Sequence, residues 1–172
     1  MSLAKELAAA GHSRFRLTFV GTYCGVADPR RDPRTAAARH NQIEAWKLNG
    51  AHVFTRPLRY PSEWPDSPAE EKGIDVMLAI DLVTMAIRHE YDVGIVASCD
   101  TDLVPAVEAV GKLPGSPPAV EVMAWLGRAG RIGTPGQGVP VRQIGPNEYR
   151  QIVDLTDYNL RIGLRERRRA SR

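Results

Sequence analysis

Between residues 16 and 127, short runs rich in β-branched and aromatic residues alternate with longer stretches of helical pattern. That alternation limits the fold more than any other feature. "RLTFVGTYC" (16–24), "HVFTRPLRY" (52–60), "YDVGIVASC" (91–99) and "AVEVMAWLG" (119–127) read as strands, with helical segments between them. Parallel neighbours need a crossover, and a helix supplies it, so the expected class is α/β: a mainly parallel central sheet flanked by helices in three layers.

Local signals sharpen the elements. "LAKELAAA" (3–10) is a short helix that Gly11 ends. A helix over 34–49 has Asp32 as its cap, Pro33 at its first position and Gly50 just past its end. Its Ile43 and Trp46 are spaced to face a core. Pro57 pushes the second strand toward a sheet edge, and residues 61–68, "PSEWPDSP", form a loop. "IDVMLAIDLVTMAIRH" (74–89) is apolar nearly all round and is expected to pack on more than one side. "LVPAVEAVGK" follows as a helix that tolerates Pro105 in its first turn, and residues 128–143 are Gly/Pro-rich and irregular.

The length of 172 residues suits one domain, placed at 1–160. The net charge of +3 is uneven: residues 161–172 hold six Arg and one Glu, a local +5, so the preceding 160 residues carry −2. Such a tail is compatible with phosphate binding and equally with a disordered, solvated end. No apolar run reaches the ~20 residues of a membrane span and no secretory leader is evident, so the expected location is cytoplasmic, without membrane contact. Cys24 and Cys99 lack metal-ligand or redox spacing and read as buried free thiols.

The chemistry concentrates in "VASCDTDLVP". Asp100 and Asp102 fall at the carboxyl end of a strand, where open α/β sheets build their sites. Two adjacent carboxylates repel unless a cation lies between them, and Mg²⁺ is the usual hard partner. The ordinary alternative is that Asp102 caps the next helix while Asp100 is solvated. Asp75, near the start of the apolar helix, would be costly there unless paired, hydrogen-bonded or metal-bound. Asp81, six residues on, points to another face and reads as a surface residue or a partner of Arg88.

Taken together, "EKGIDVMLAIDLVTMA" and "YDVGIVASCDTDLVPAVEAV" resemble the NYN domain family, the LabA-like branch of the PIN-like nucleases. The matching residues are Lys72, Gly73, Asp75, Val76, Leu78 and Ala79, then Ser98, Asp100, Asp102, Leu103, Pro105 and Val107. The resemblance implies a PIN-like sandwich in which Asp75, Asp100 and Asp102 hold Mg²⁺ or Mn²⁺ and hydrolyse RNA, with single-stranded RNA as the partner. It makes Arg56, Arg59 and Lys72 candidate phosphate contacts, and Tyr60 and Trp64 candidate stacking residues whose ordinary alternative is loop packing. Two departures are visible. The D-G-x-N motif of the family's first strand, with its ligand Asp, does not precede Leu3, so the chain is expected to begin after that strand, and Cys99 replaces the usual Gly. An RNA-binding or protein-interaction relative without turnover is therefore the alternative, and the oligomeric state stays open, a homodimer included. Aspartyl-phosphate phosphatase and Toprim-like readings of D-x-D are weak rivals, for want of their companion Lys and upstream Glu.

Overall fold

A strand persists only where a neighbour takes up its backbone hydrogen bonds, and the pairings set the boundaries seen here. A computed structural model of the chain describes residues 16–98, 100–126 and 139–160. The helix expected at 3–10, Cys99, the Gly/Pro-rich stretch through residue 138 and the basic tail lie outside the described residues. Contacts divide the described residues into two units, Phe19–Ile74 with 154–160, and Asp75–Val153 with 16–18.

In the first unit, β1 (Gly21–Val26) and β2 (His52–Pro57) pair in parallel, joined by α1 (Pro33–Leu48). The first strand starts later than the sequence suggests because Gly21 pairs with His52, the first residue of β2. Residues 16–19 therefore have no strand opposite them among the described residues. Stacked rings reinforce the register, Tyr23 on Phe54 at 4.9 Å and Phe19 on His52 at 4.8 Å. Helix α1 begins as its cap signals dictate: Asp32 Oδ1 accepts from the Thr35 amide at 3.0 Å with Pro33 next in the chain. It ends before Gly50, whose φ of 88° suits a residue without Cβ. Ile43 is buried, as its spacing predicts, and Trp46 is half-buried. Strand β2 stops at Pro57 rather than at residue 60, and Arg59 instead bridges Glu70 in antiparallel fashion.

The second unit holds a parallel three-stranded sheet, β3 (Val93–Ala97), β4 (Ala119–Trp125) and β5 (Val141–Ile144), with β4 central. Around it lie α2 (Ile74–Ile87), α3 (Val104–Gly111) and α4 (Pro146–Ile152). Leu82 and Ala86 of α2 meet Val96, Leu103, Ala106, Val107, Val110 and Val120 in one apolar cluster, in which Leu103 and Val110 are fully buried. Strand β5 and helix α4 were not foreseen, because "VRQI" is only four residues long and sits in Gly/Pro-rich surroundings. One expectation needs correction. Helix α2 buries a single ridge, while Val76, Ile80 and Ile87 are 58–60% exposed. An all-round apolar pattern shows that a helix can be covered on several faces, not that each face has found a neighbour.

Candidate active site

The D-x-D segment is shaped by what lies on either side of it. Strand β3 ends at Ala97, and a single turn of 3-10 helix, Thr101–Leu103, leads into α3. The Asp100 amide donates to Ser98 Oγ at 3.1 Å, and Asp100 Oδ1 in turn accepts from the Asp102 amide at 2.9 Å. Asp100 therefore caps the turn, and Asp102 is an exposed residue within it. This reverses the roles expected under the capping alternative. A cap oxygen must stand before the first free amides, and the 3-10 turn, which starts at Thr101, moves those amides two residues earlier than a helix starting at Leu103 would. Leu103, fully buried, pins the turn to the core, so the two carboxylates ride on a fixed support.

The other oxygen of Asp100 and the whole carboxylate of Asp102 have no hydrogen-bond or ion-pair partner among the described residues. Asp75 lies in the first turn of α2, a position that favours a negative charge, and it is exposed. The expectation that Asp75 is costly in a buried setting is thus overturned: its helix is apolar, but its own position is wet. Among the described residues, no three His, Cys, Asp or Glu side chains gather closely enough to hold a metal ion. One hydrogen bond ties the Asp100 carboxylate to the Asp102 backbone, and Asp75 joins no metal-holding group among the described residues. Arg88 pairs with Glu90 at 3.8 Å.

The candidate cations belong to the first unit. Lys72 Nζ is 3.3 Å from Glu70, and the Arg56 guanidinium passes over Gly73. Arg59 lines an open cavity of about 360 Å³ with Tyr60, Pro61, Ser62, Glu63 and Glu70. Tyr60 is held by its own chain: its hydroxyl accepts from the Asp28 amide at 2.9 Å, Trp64 meets its ring edge-on at 4.9 Å, and Arg31 lies over its face. Loop packing thus accounts for both rings. Glu71, which no motif in the sequence marks, accepts from the Gly25 amide of β1 at 2.6 Å. The only local signal was its place in the "EEK" run. Burial pushes the Cys24 thiol above its usual range, with Arg39 opposing and Glu71 assisting, which disfavours the reactive thiolate.

Residues 8–114 match the NYN domain family, well over half of the 172 residues. The chain belongs to the NYN domain family. The matched segment of this NYN chain contains Asp75, Asp100 and Asp102 as well as Arg56, Arg59 and Lys72, and it joins the chain to the PIN-like nucleases. No curated protein and no solved structure matches it. The parallel α/β character expected from the alternation is present, in the form of two parallel sheets with their helices. No helix among the described residues is long and apolar enough to cross a membrane.

Proposed function

We propose that this NYN chain is a divalent-metal-dependent ribonuclease that hydrolyses phosphodiesters of single-stranded RNA in the cytoplasm. The observation that carries the reading is the pair Asp100 and Asp102, seated over fully buried Leu103 at the carboxyl end of a parallel strand with three carboxylate oxygens unengaged among the described residues. Mg²⁺ keeps much of its water and takes one or two carboxylates together with substrate phosphates, so a pair fits it where a closed protein cage is absent. Mn²⁺ accepts the same oxygen donors. Asp100 and Asp102 would hold the ion, with Asp75 as the third carboxylate offered to it. Such an ion supplies a Lewis acid for the scissile phosphate and a bound water of lowered pKa.

The chain's own contribution is positioning. The Asp100 cap fixes the turn, and the turn fixes the direction of Asp102. Arg56, Arg59 and Lys72 are the proposed phosphate contacts. Lys72 would exchange Glu70 for phosphate, an exchange that costs little because an exposed ion pair is worth at most about 1 kcal/mol.

A second reading is supported by the lack of a three-residue metal group among the described residues: an RNA-binding NYN module without turnover. Cleavage of a labelled single-stranded RNA with Mn²⁺ or with EDTA separates the two. Asp102→Asn, which removes no hydrogen bond seen here, is expected to lower Mn²⁺-dependent cleavage at least a hundredfold with Tm unchanged. Asp100→Asn should do the same with little loss of Tm, because the Asn carbonyl can still accept from the Asp102 amide as a cap. Undiminished cleavage by Asp102→Asn overturns the metal-site assignment. Wild-type binding without cleavage selects the second reading.

A further inference from the structure

Parallel strands share one carboxyl end, so whatever terminates β4 and β5 stands on the same rim as the D-x-D turn that follows β3. Ala97, the last residue of β3, pairs with Met123; Trp125 is two residues beyond that level and Asp100 three. Trp125 in turn pairs with Ile144, after which the chain passes through Gly145 into α4 and Tyr149. The Leu126 amide donates to the Ile144 carbonyl at 2.9 Å and holds this end of the ladder. Trp125 and Tyr149 meet edge to face, with ring centroids 5.5 Å apart, and each is 47% exposed. Leu126, next in the chain after Trp125, is 60% exposed.

Residues 122–124 of the same strand are buried, so β4 places its one exposed large ring at the rim. A tryptophan is ordinarily well buried, and a contiguous apolar patch rimmed by polar groups marks a contact surface. Nearby charge does not oppose an anionic strand: the Glu148 carboxylate is turned back onto the Gly145 amide at 3.0 Å, and Arg150 adjoins Tyr149 in the chain.

We propose that Trp125 and Tyr149 form a stacking platform that receives an unpaired base of the RNA next to the phosphate presented to Asp100 and Asp102. The inference rests on the ribonuclease reading and deepens it by naming residues outside the family-matched segment as binding determinants. Adjacent strands lie about 4.8 Å apart, so the rings stand about one to two strand widths from the D-x-D turn. Stacking tolerates any base, so the platform supplies affinity and register without sequence choice.

The test measures binding of fluorescein-labelled oligouridylate and of an abasic strand of equal length, both in EDTA, by wild type, Trp125→Ala, Trp125→Phe and Tyr149→Ala. Stacking is worth about 1–3 kcal/mol per base, so Trp125→Ala should weaken oligouridylate binding about 5- to 150-fold. Trp125→Phe should restore most of the affinity, and the abasic strand should not distinguish any of the proteins. In turnover with Mn²⁺, Trp125→Ala should raise KM and leave kcat largely unchanged. Tyr149→Ala tests the platform independently of strand packing, because α4 contributes no buried residue. Wild-type binding matched by both alanine variants removes the platform and leaves the nuclease reading standing. Equal losses on the abasic strand also overturn it, because the rings would then act on the sugar-phosphate backbone or on the fold rather than by stacking on a base. A wild type that neither binds nor cleaves RNA removes the nuclease reading, and the platform with it.

Discussion

The carboxyl ends of the two parallel sheets are finished in opposite ways. After β1 the chain fills the end itself: Glu71 takes the Gly25 amide, Tyr60 takes the Asp28 amide, and Trp64 and Arg31 cover the Tyr60 ring. After β3 and β4 the end is left open, with Asp102 exposed and Trp125 and Tyr149 half-exposed. Both ends carry the residue types of a binding site: an Arg, acidic groups and aromatic rings. What separates them is whether those groups have already found partners within the chain. Polar and aromatic groups satisfied internally hold a fold together, whereas the same groups left unengaged on a rigid support are free to take a ligand.

Three substitutions test that contrast, beside the RNA experiments above. The largest expected effect is at the support of the open end. Leu103→Ala removes a fully buried side chain beneath the D-x-D turn and should cost about 2–5 kcal/mol. For a chain of this size that is a fall in Tm of roughly 4–20 °C in calorimetry. An unchanged Tm would mean that the carboxylates ride on nothing rigid.

Next is the filled end. A Cβ at Gly25 would overlap Leu58 and lie 2.8 Å from Glu71, so Gly25→Ala must displace the carboxylate that satisfies its own amide. A cost of about 1–3 kcal/mol is expected, seen as a shift of the urea midpoint to lower concentration. A midpoint equal to wild type would show that the end of β1 is as open as that of β3.

The smallest effect concerns the helix that follows β1. Hydrogen bonding to Thr35 holds the Asp32 carboxyl below its ordinary value of 3.8. A depressed acid stabilises the fold above its unfolded pKa and loses that contribution as the pH falls through the folded value. Asp32→Ala should therefore melt slightly below wild type at neutral pH, with the gap closing in thermal scans taken below pH 3.8. A gap that persists in acid would show that the lost stability does not come from the charged cap.

Much of this was legible in the sequence wherever a feature rests on near neighbours. Asp32, Pro33 and Gly50 bracket α1 as read, because capping is decided within four residues. The order of strands and helices was legible for the same reason. The start of β1 was not, since it is set by His52, thirty-one positions after Gly21. Strand β5 was missed because four residues carry too little pattern to rise above their Gly/Pro-rich flanks. At the site, the position of Asp100 and Asp102 beyond a strand was readable, but which of them caps the turn was not, because a 3-10 turn and an α-helical start share the same sequence signals. Trp125 read only as a strand residue, and its exposure depends on where β4 outruns β3.

The sequence by itself determined that this chain alternates strands with helices, pairs its strands in parallel and carries two carboxylates just past an apolar strand. Periodicity, caps and crossover length are local, and they act before any distant contact forms. Only the tertiary structure decided that one ridge of α2 is buried and another left in water, that Asp75 is exposed, and that the end of β1 is sealed by Glu71 while that of β3 stays open. Burial and pairing are settled by residues far apart in the chain, and no short stretch records whether its neighbour in space arrives.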